Sequence, residues 1–259
     1  MTDDRRRALD VLLATLEAGC EVVEEPWGTI AVNPEFPRIH MANFLWLRTL
    51  PPGGLDAALR RLDEVLAPYG IRDRPMYVED TALSSRLALA FAERGFTAKP
   101  EHVMFARGPP KLAANPAVTV RPARDQATRD DHDGIAGLIH EEEGYDHELS
   151  HQMLSLGWRR ASLLGSETFV AYLEGRPAGN VAFDAVDGVG SLFEVETVPA
   201  LRGRGVAATM VLHVRRRAEA GGLAPFFLQT PVEDTTWRMY EKLGFAREGT
   251  LAGYLLARP

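Results

Sequence analysis

Residues Val195 to Ala208 read VETVPALRGRGVAA. An extended, β-branched stretch passes through Pro199 into an Arg-Gly-Arg-Gly turn, and the turn opens an amphipathic helix, VAATMVLHVRRRAEA. A glycine-rich bend at a helix start leaves several backbone N–H groups without intrahelical partners, beside the positive end of the helix dipole. Such a bend is a site for phosphate. RGRGVAAT has no Lys-Ser/Thr pair at the P-loop spacing, which excludes a P-loop nucleotidase.

The elements around this turn follow from periodicity and turn chemistry. RGPPKLAANPA (107–117) is rich in proline and small residues, so 109–117 reads as a linker between a first domain, 1–108, and a second, 118–259. VTVRPA alternates like a strand, and residues 126–159 read as two helices broken near Gly144. ETFVAYLEGRPAGNVAFDAV gives a strand, a turn and a strand. Next come the strand SLFEVETV, the RGRG turn, a helix to about Ala220, the buried strand PFFLQT, the helix TTWRMYEKLGF and a closing strand, GTLAGYLLA. A hairpin followed by a β-α-β crossover implies an α+β (mixed α/β) fold, with a mixed central sheet flanked by helices.

The first half repeats the second. Shifted by 149 residues, Phe91 to Phe96 (FAERGF) lies on Tyr240 to Phe245 (YEKLGF), LDAALRRLDEVLAPYG lies on the helix after the RGRG turn, and the strand-like PMYVED falls beside PFFLQT. In that shift Gly53 stands for Arg202, Leu55 for Arg204, Asp56 for Gly205 and Phe91 for Tyr240. A carboxylate at the turn repels pyrophosphate and a phenyl ring has no proton to give. The first copy therefore reads as structural, covering the sheet or shaping a cleft.

Arg202-x-x-Gly205-x-Ala207, preceded by a strand and Pro199 and followed by a helix, Tyr240 and Gly244-Phe245, resembles the acyl-CoA-binding core of the GNAT N-acetyltransferases. The likeness covers roughly residues 118–259, and more weakly 40–108, which implies the GNAT acyl-CoA N-acyltransferase fold with a second, incomplete GNAT-like domain at the N-terminus. By this resemblance the amides of Gly203, Arg204, Gly205, Val206, Ala207 and Ala208 would hold the pyrophosphate of acetyl-CoA, the cosubstrate. Arg202 and Arg204 would add charge-assisted bonds. Backbone groups of Val195, Glu196 and Thr197 would pair with the pantetheine arm like an added strand. Two positions depart from the family pattern. Glu233 stands where an Asn often contacts the CoA arm, and Ser191 stands where relatives often place a base.

Acetyl transfer to an amine needs a deprotonated acceptor, because an alkylammonium with a pKa near ~10 has no lone pair. It also needs donors for the oxyanion, which N–H groups of Val195 to Thr197 can supply, and a proton for the leaving thiolate. By resemblance and residue type Tyr240 is that donor. Glu194 is the expected base, directly or through water; strand alternation places it on one face with Glu196. The acidic run Glu141-Glu142-Glu143, with Asp146 and Glu148, reads as a solvated helix face or as a wall that draws in a cationic acceptor. The expected reaction is direct transfer of acetyl to an amine of a small molecule or peptide. The alternative is a non-catalytic acyl-CoA-binding or regulatory module.

Other signals narrow the partners. A net charge of −7 argues against nucleic acid, and the basic run Arg215-Arg216-Arg217 reads as a solvated helix end or a contact to a CoA phosphate. His147-Glu148-Leu149-Ser150-His151 spells the zinc-peptidase HExxH pattern, but a zinc reading leaves the RGRG turn and Tyr240 unexplained, so no metal is expected. Cys20, the single cysteine, is expected to pack in an N-terminal helix. No apolar run approaches the ~20 residues of a membrane span and no apolar leader follows the first charged residues, so the expectation is a cytoplasmic protein without a membrane partner. The oligomeric state is left open.

Overall fold

Most helices of the chain start on a side-chain cap. In the computed structural model, which describes residues 2–258, Thr2, Asp80, Asp125 and Asp146 accept the N–H groups of Arg5, Leu83, Thr128 and Leu149. The first half runs α1 (Asp3–Glu17), β1 (Glu21–Glu25), β2 (Gly28–Val32), β3 (Phe44–Leu47), α2 (Gly54–Leu66), β4 (Arg74–Val78), α3 (Thr81–Glu93), β5 (Thr97–Ala98) and β6 (Glu101–Ala106). The second runs β7 (Val118–Pro122), α4 (Gln126–Glu142), α5 (His147–Leu164), β8 (Glu167–Leu173), β9 (Arg176–Val186), β10 (Val189–Thr197), α6 (Val206–Ala220), β11 (Phe226–Pro231), α7 (Trp237–Lys242) and β12 (Phe245–Leu256). The expected break near Gly144 falls between α4 and α5, where Gly144 has φ 81°. Cys20 lies just beyond α1 rather than within it: the helix stops at Glu17, and Gly19 turns the chain with φ 79°.

The strands form one mixed sheet in the order β1-β2-β3-β4-β12-β6-β11-β10-β9-β8-β7, with β5 alongside β12. Its two parallel pairs are β3 with β4, bridged by α2, and β10 with β11, bridged by α6. The halves exchange strands at the centre. β12 pairs with β4 of the first half, while β6 pairs with β11 of the second, and the exchanged strands pair with each other. Side chains follow. Met104 of β6 is fully buried in the core under α6, and Tyr254 of β12 stacks on Phe91 at 4.0 Å in the core under α2 and α3.

The sheet carries helices on both faces. Val103, Phe105 and Phe227 pack under α1, whereas Met104, Phe226 and Leu228 face α6 and α7. Val170 and Tyr172 meet α4 and α5, opposite Phe169 and Ala171 on the α6 side. Thus α1, α4 and α5 cover one face, and α2, α3, α6 and α7 the other. Among the described residues no helix is long and apolar enough to cross a membrane.

The internal repeat has a different register from that of an ungapped shift. Both α2 and α6 begin at a left-handed glycine without a side-chain cap, Gly53 at φ 92° and Gly205 at φ 77°. The structure therefore sets Gly53 against Gly205, not against Arg202. The connection before α2 (48–53) is shorter than that before α6 (198–205), which a constant shift cannot absorb. Asp56 falls in the first turn of α2, where Arg94 pairs with it at 2.7 Å.

Candidate functional site

A wedge opens where β10 and β11 part. Their parallel register covers Gly190, Ser191 and Leu192 opposite Phe226, Phe227 and Leu228, and goes no further. A bulge between Phe193 and Glu196, with Glu194 at φ 51°, bends β10 away while β11 stays with β6 as far as Pro231. The edge of β10 from Glu194 to Thr197 that turns toward β11 thus has no strand beside it and can accept an extended ligand. In the first half the same place is zipped. Glu79 N–H donates to the Leu47 carbonyl (3.1 Å), and Trp46 Nε1 donates to Glu79 Oε2 (3.0 Å).

Beyond the wedge lies the glycine turn. Gly203 and Gly205 have φ 76° and 77°, a conformation that costs a non-glycine residue strain. The first helical bond of α6 runs from Thr209 N–H to the Gly205 carbonyl (3.1 Å), so the N–H groups of Gly203, Arg204, Gly205, Val206, Ala207 and Ala208 all precede it. Segment 109–117 braces the turn from behind. Asn115 Nδ2 donates to the Arg204 carbonyl (2.8 Å), and Asn115 N–H donates to Thr209 Oγ1 (2.8 Å). Both turn arginines are already paired: Arg202 makes a two-pronged contact with Glu142 at the end of α4, with Nη1 to Oε1 at 2.7 Å, and Arg204 reaches Glu174 at 3.1 Å.

On the face under α4 and α5 the wedge is acidic. Asn180 of β9, fully buried, donates through Nδ2 to the His132 carbonyl and to Glu196 Oε2, both at 3.1 Å, and its Oδ1 has no partner. Burial, then the charge of Glu194, pushes the Glu196 carboxyl up to about 7, against the pull of the Asn180 bond. Burial also raises Glu194, with Asp184 adding to the effect while His132 and Arg160 oppose it. Glu194 itself is exposed to solvent. Simple alternation does not relate the two glutamates. The bulge makes Phe193 and Glu196, three residues apart, face the same way opposite Ala182 and Asn180.

Tyr240 sits on the other face, in the core under α6, with its ring edge-on to Phe245 at 6.1 Å. A Thr236–Thr230 hydroxyl bond (2.9 Å) ties α7 to the end of β11. Burial, then the charge of Asp234, raises the Tyr240 phenol well above its ordinary value and keeps it protonated at neutral pH. Tyr240 thus shares a core cluster with Val206 and Ala208 of α6, with Val195 of β10 packed against it, while Asn180 and Glu196 lie on the opposite face. Ser191 is buried opposite Asp184, and Glu233 points outward, 3.8 Å from Lys99. His147, Glu148 and His151 are exposed on the first turns of α5, where Asp146 caps the helix and meets Arg38 at 3.1 Å. Sequence reasoning missed Asn115, Asn180 and Arg160. The Arg160 guanidinium donates to the carbonyls of Leu16 and Met41 at 2.5 and 2.7 Å, fastening α5 to the first half. Each of these roles exists only through tertiary contact, so no local pattern marks it.

Residues 133–245 match the acetyltransferase (GNAT) family model. Over nearly its whole length the chain is similar in structure to a GCN5-related N-acetyltransferase from Kribbella flavida, with 18% identity, 98% of this chain and 95% of that one covered, and a TM-score of 0.70. It is similar also to a functionally unknown conserved protein from Staphylococcus epidermidis ATCC 12228, at 15% identity, 92% and 94% coverage and a TM-score of 0.70. A tandem GNAT protein from the clavulanic acid biosynthesis pathway aligns at 10% identity over 91% of this chain and 81% of that one, with a TM-score of 0.58. No curated protein sequence matches the chain. The second half has a GNAT-like fold with a mixed α/β sheet, and a further N-terminal unit precedes it.

Proposed function

We propose that the chain is an N-acetyltransferase that moves acetyl from acetyl-CoA directly to an amine, and that its first half is a degenerate copy of the second. The wedge between β10 and β11, leading into the Gly203–Ala208 amides, is the observation that carries this reading. The pantetheine arm lies along Val195 to Thr197, and the diphosphate rests on the turn amides, with Arg202 and Arg204 swinging from Glu142 and Glu174 to meet it. The acceptor approaches from the α4 and α5 face. Glu194, coupled to Glu196, takes the ammonium proton directly or through water. The freed amine attacks the thioester carbonyl, a backbone N–H of the β10 edge steadies the oxyanion, and Tyr240 protonates the departing thiolate. The bonds balance: C–N forms and C–S breaks, the ammonium's first proton passes through the carboxylate to water, and its second, shed by the tetrahedral nitrogen, returns through water to the phenol that has protonated sulfur.

Thiol release from acetyl-CoA, measured against a panel of amines, tests the reading. Release with at least one amine is expected, and Tyr240→Phe should lower kcat about tenfold or more while acetyl-CoA affinity stays put. A chain that binds acetyl-CoA yet releases no thiol with any amine is a binding module instead. A wild-type kcat in the phenylalanine variant removes Tyr240 from the acid role.

A further inference from the structure

The first half carries a carboxylate one strand beyond the wedge, across β11 from β10. Glu101, the first residue of β6, lies opposite Pro231 at the end of β11 and opposite Leu251 of β12. Residues directly opposed across strands face the same way, so Glu101 shares the face of Val103, Phe227 and Leu251, which pack under α1, the face that α4 and α5 cover further along the sheet. Among the described residues its carboxylate receives no hydrogen bond and joins no ion pair, and burial raises its pKa with nothing to offset it. One further acceptor on this face lacks a partner, Oδ1 of the fully buried Asn180. Such atoms are costly to bury unless something supplies the missing bond.

Spacing sets what that something is. β11 separates β6 from β10, so the two strands that carry Glu101 and Glu194 lie about 10 Å apart, and more where β10 bends away. Carboxylates carried on strands that far apart suit a short chain with a cation at each end better than a single ammonium. We infer that Glu101 is a specificity-determining residue contributed by the first half, which holds a second positive charge of the acceptor while the reacting amine lies at Glu194. The acceptor class is then an amine carrying another cationic group, of which a short diamine is the smallest case. This inference rests on the acetyltransferase reading for its account of the reacting end, but its test does not depend on turnover.

Calorimetric titration of the full chain with putrescine and with n-butylamine measures the preference directly. Wild type should bind the diamine about tenfold or more tightly than the monoamine. Glu101→Gln should bring the two affinities together, and Glu101→Asp, which keeps the charge on a shorter arm, should restore part of the gap. Equal affinities in wild type, or a preference that survives Glu101→Gln, overturns the inference. Melting curves with and without acetyl-CoA, run on the same samples, show that each variant is folded. If wild type gains no stability from acetyl-CoA, the acetyltransferase reading fails while the putrescine titration still decides the role of Glu101.

Discussion

Proton uptake at the site is governed by a few enclosed carboxyls. Glu196 is held up to about 7, first by burial and then by the charge of Glu194. A general base is most useful when its pKa lies near the working pH. kcat/KM should therefore fall below about pH 7 as the pair takes up its proton, the bend belonging to the pair rather than to one residue. Glu194→Gln deletes the charge that helps raise Glu196, so the remaining bend should move to lower pH and the plateau should drop. A bend unmoved in both Glu194→Gln and Glu196→Gln would assign the proton to another group. Stability gives an independent check. A carboxyl raised in the folded state binds its proton more tightly there than in the unfolded chain, so its contribution is full below the ordinary value of 4.5 and is lost as pH climbs through about 7. Glu196→Gln should thus be the more stable protein at about pH 8, by roughly 3 kcal/mol in denaturant titrations, and equal to wild type in acid.

The glycine turn and the helix after it are where the sequence spoke most clearly, because a left-handed start and an unpaired run of amides demand particular residues at particular places. The order of elements from Val118 onward was legible for a similar reason: hairpin turns, helix caps and strand alternation are local. The bulge in β10 was not, since nothing in FEVET distinguishes a regular strand from one that must bend away from β11. The partners of Arg202 and Arg204 were hidden too, because Glu142 and Glu174 come from elements distant in the chain. These pairs bear on binding. Arg202 must leave Glu142 to reach a diphosphate, and an exposed pair of this kind resists only weakly. Glu142→Gln frees the guanidinium and removes a negative charge beside the turn, so acetyl-CoA affinity by titration should rise about two- to fivefold. Weaker binding would mean that Glu142 positions Arg202 for the ligand instead of competing with it.

At the scale of the molecule, the exchange of β6 and β12 makes the two halves interdependent, a feature that neither repeat nor linker composition announces. The segment 109–117 reads as a linker, yet the sheet is continuous across both halves, and each half is finished by a strand from the other. A chain cut to residues 118–259 would leave β11 without β6 on its outer edge. It would also strand β12, whose neighbours β4 and β6 both lie in the first half. Tyr254 would lose its stack on Phe91 and its hydroxyl bond to Ser84 (2.8 Å), exposing an aromatic built to be buried. An unpaired edge beside a long strand with an apolar face is a template for aggregation. The fragment 118–259 should therefore be insoluble or unfolded alone, and should become soluble when residues 1–117 are co-expressed as a separate chain that supplies β4 and β6. A soluble, monomeric 118–259 fragment with a cooperative melt near that of the full chain would show that the second half stands by itself. The same comparison bears on the acceptor face, because Glu101 and the Arg160 anchor at Leu16 and Met41 join that face to the first half. Reassembled halves should recover putrescine binding together with solubility, since the strand that completes the sheet is also the strand that carries Glu101.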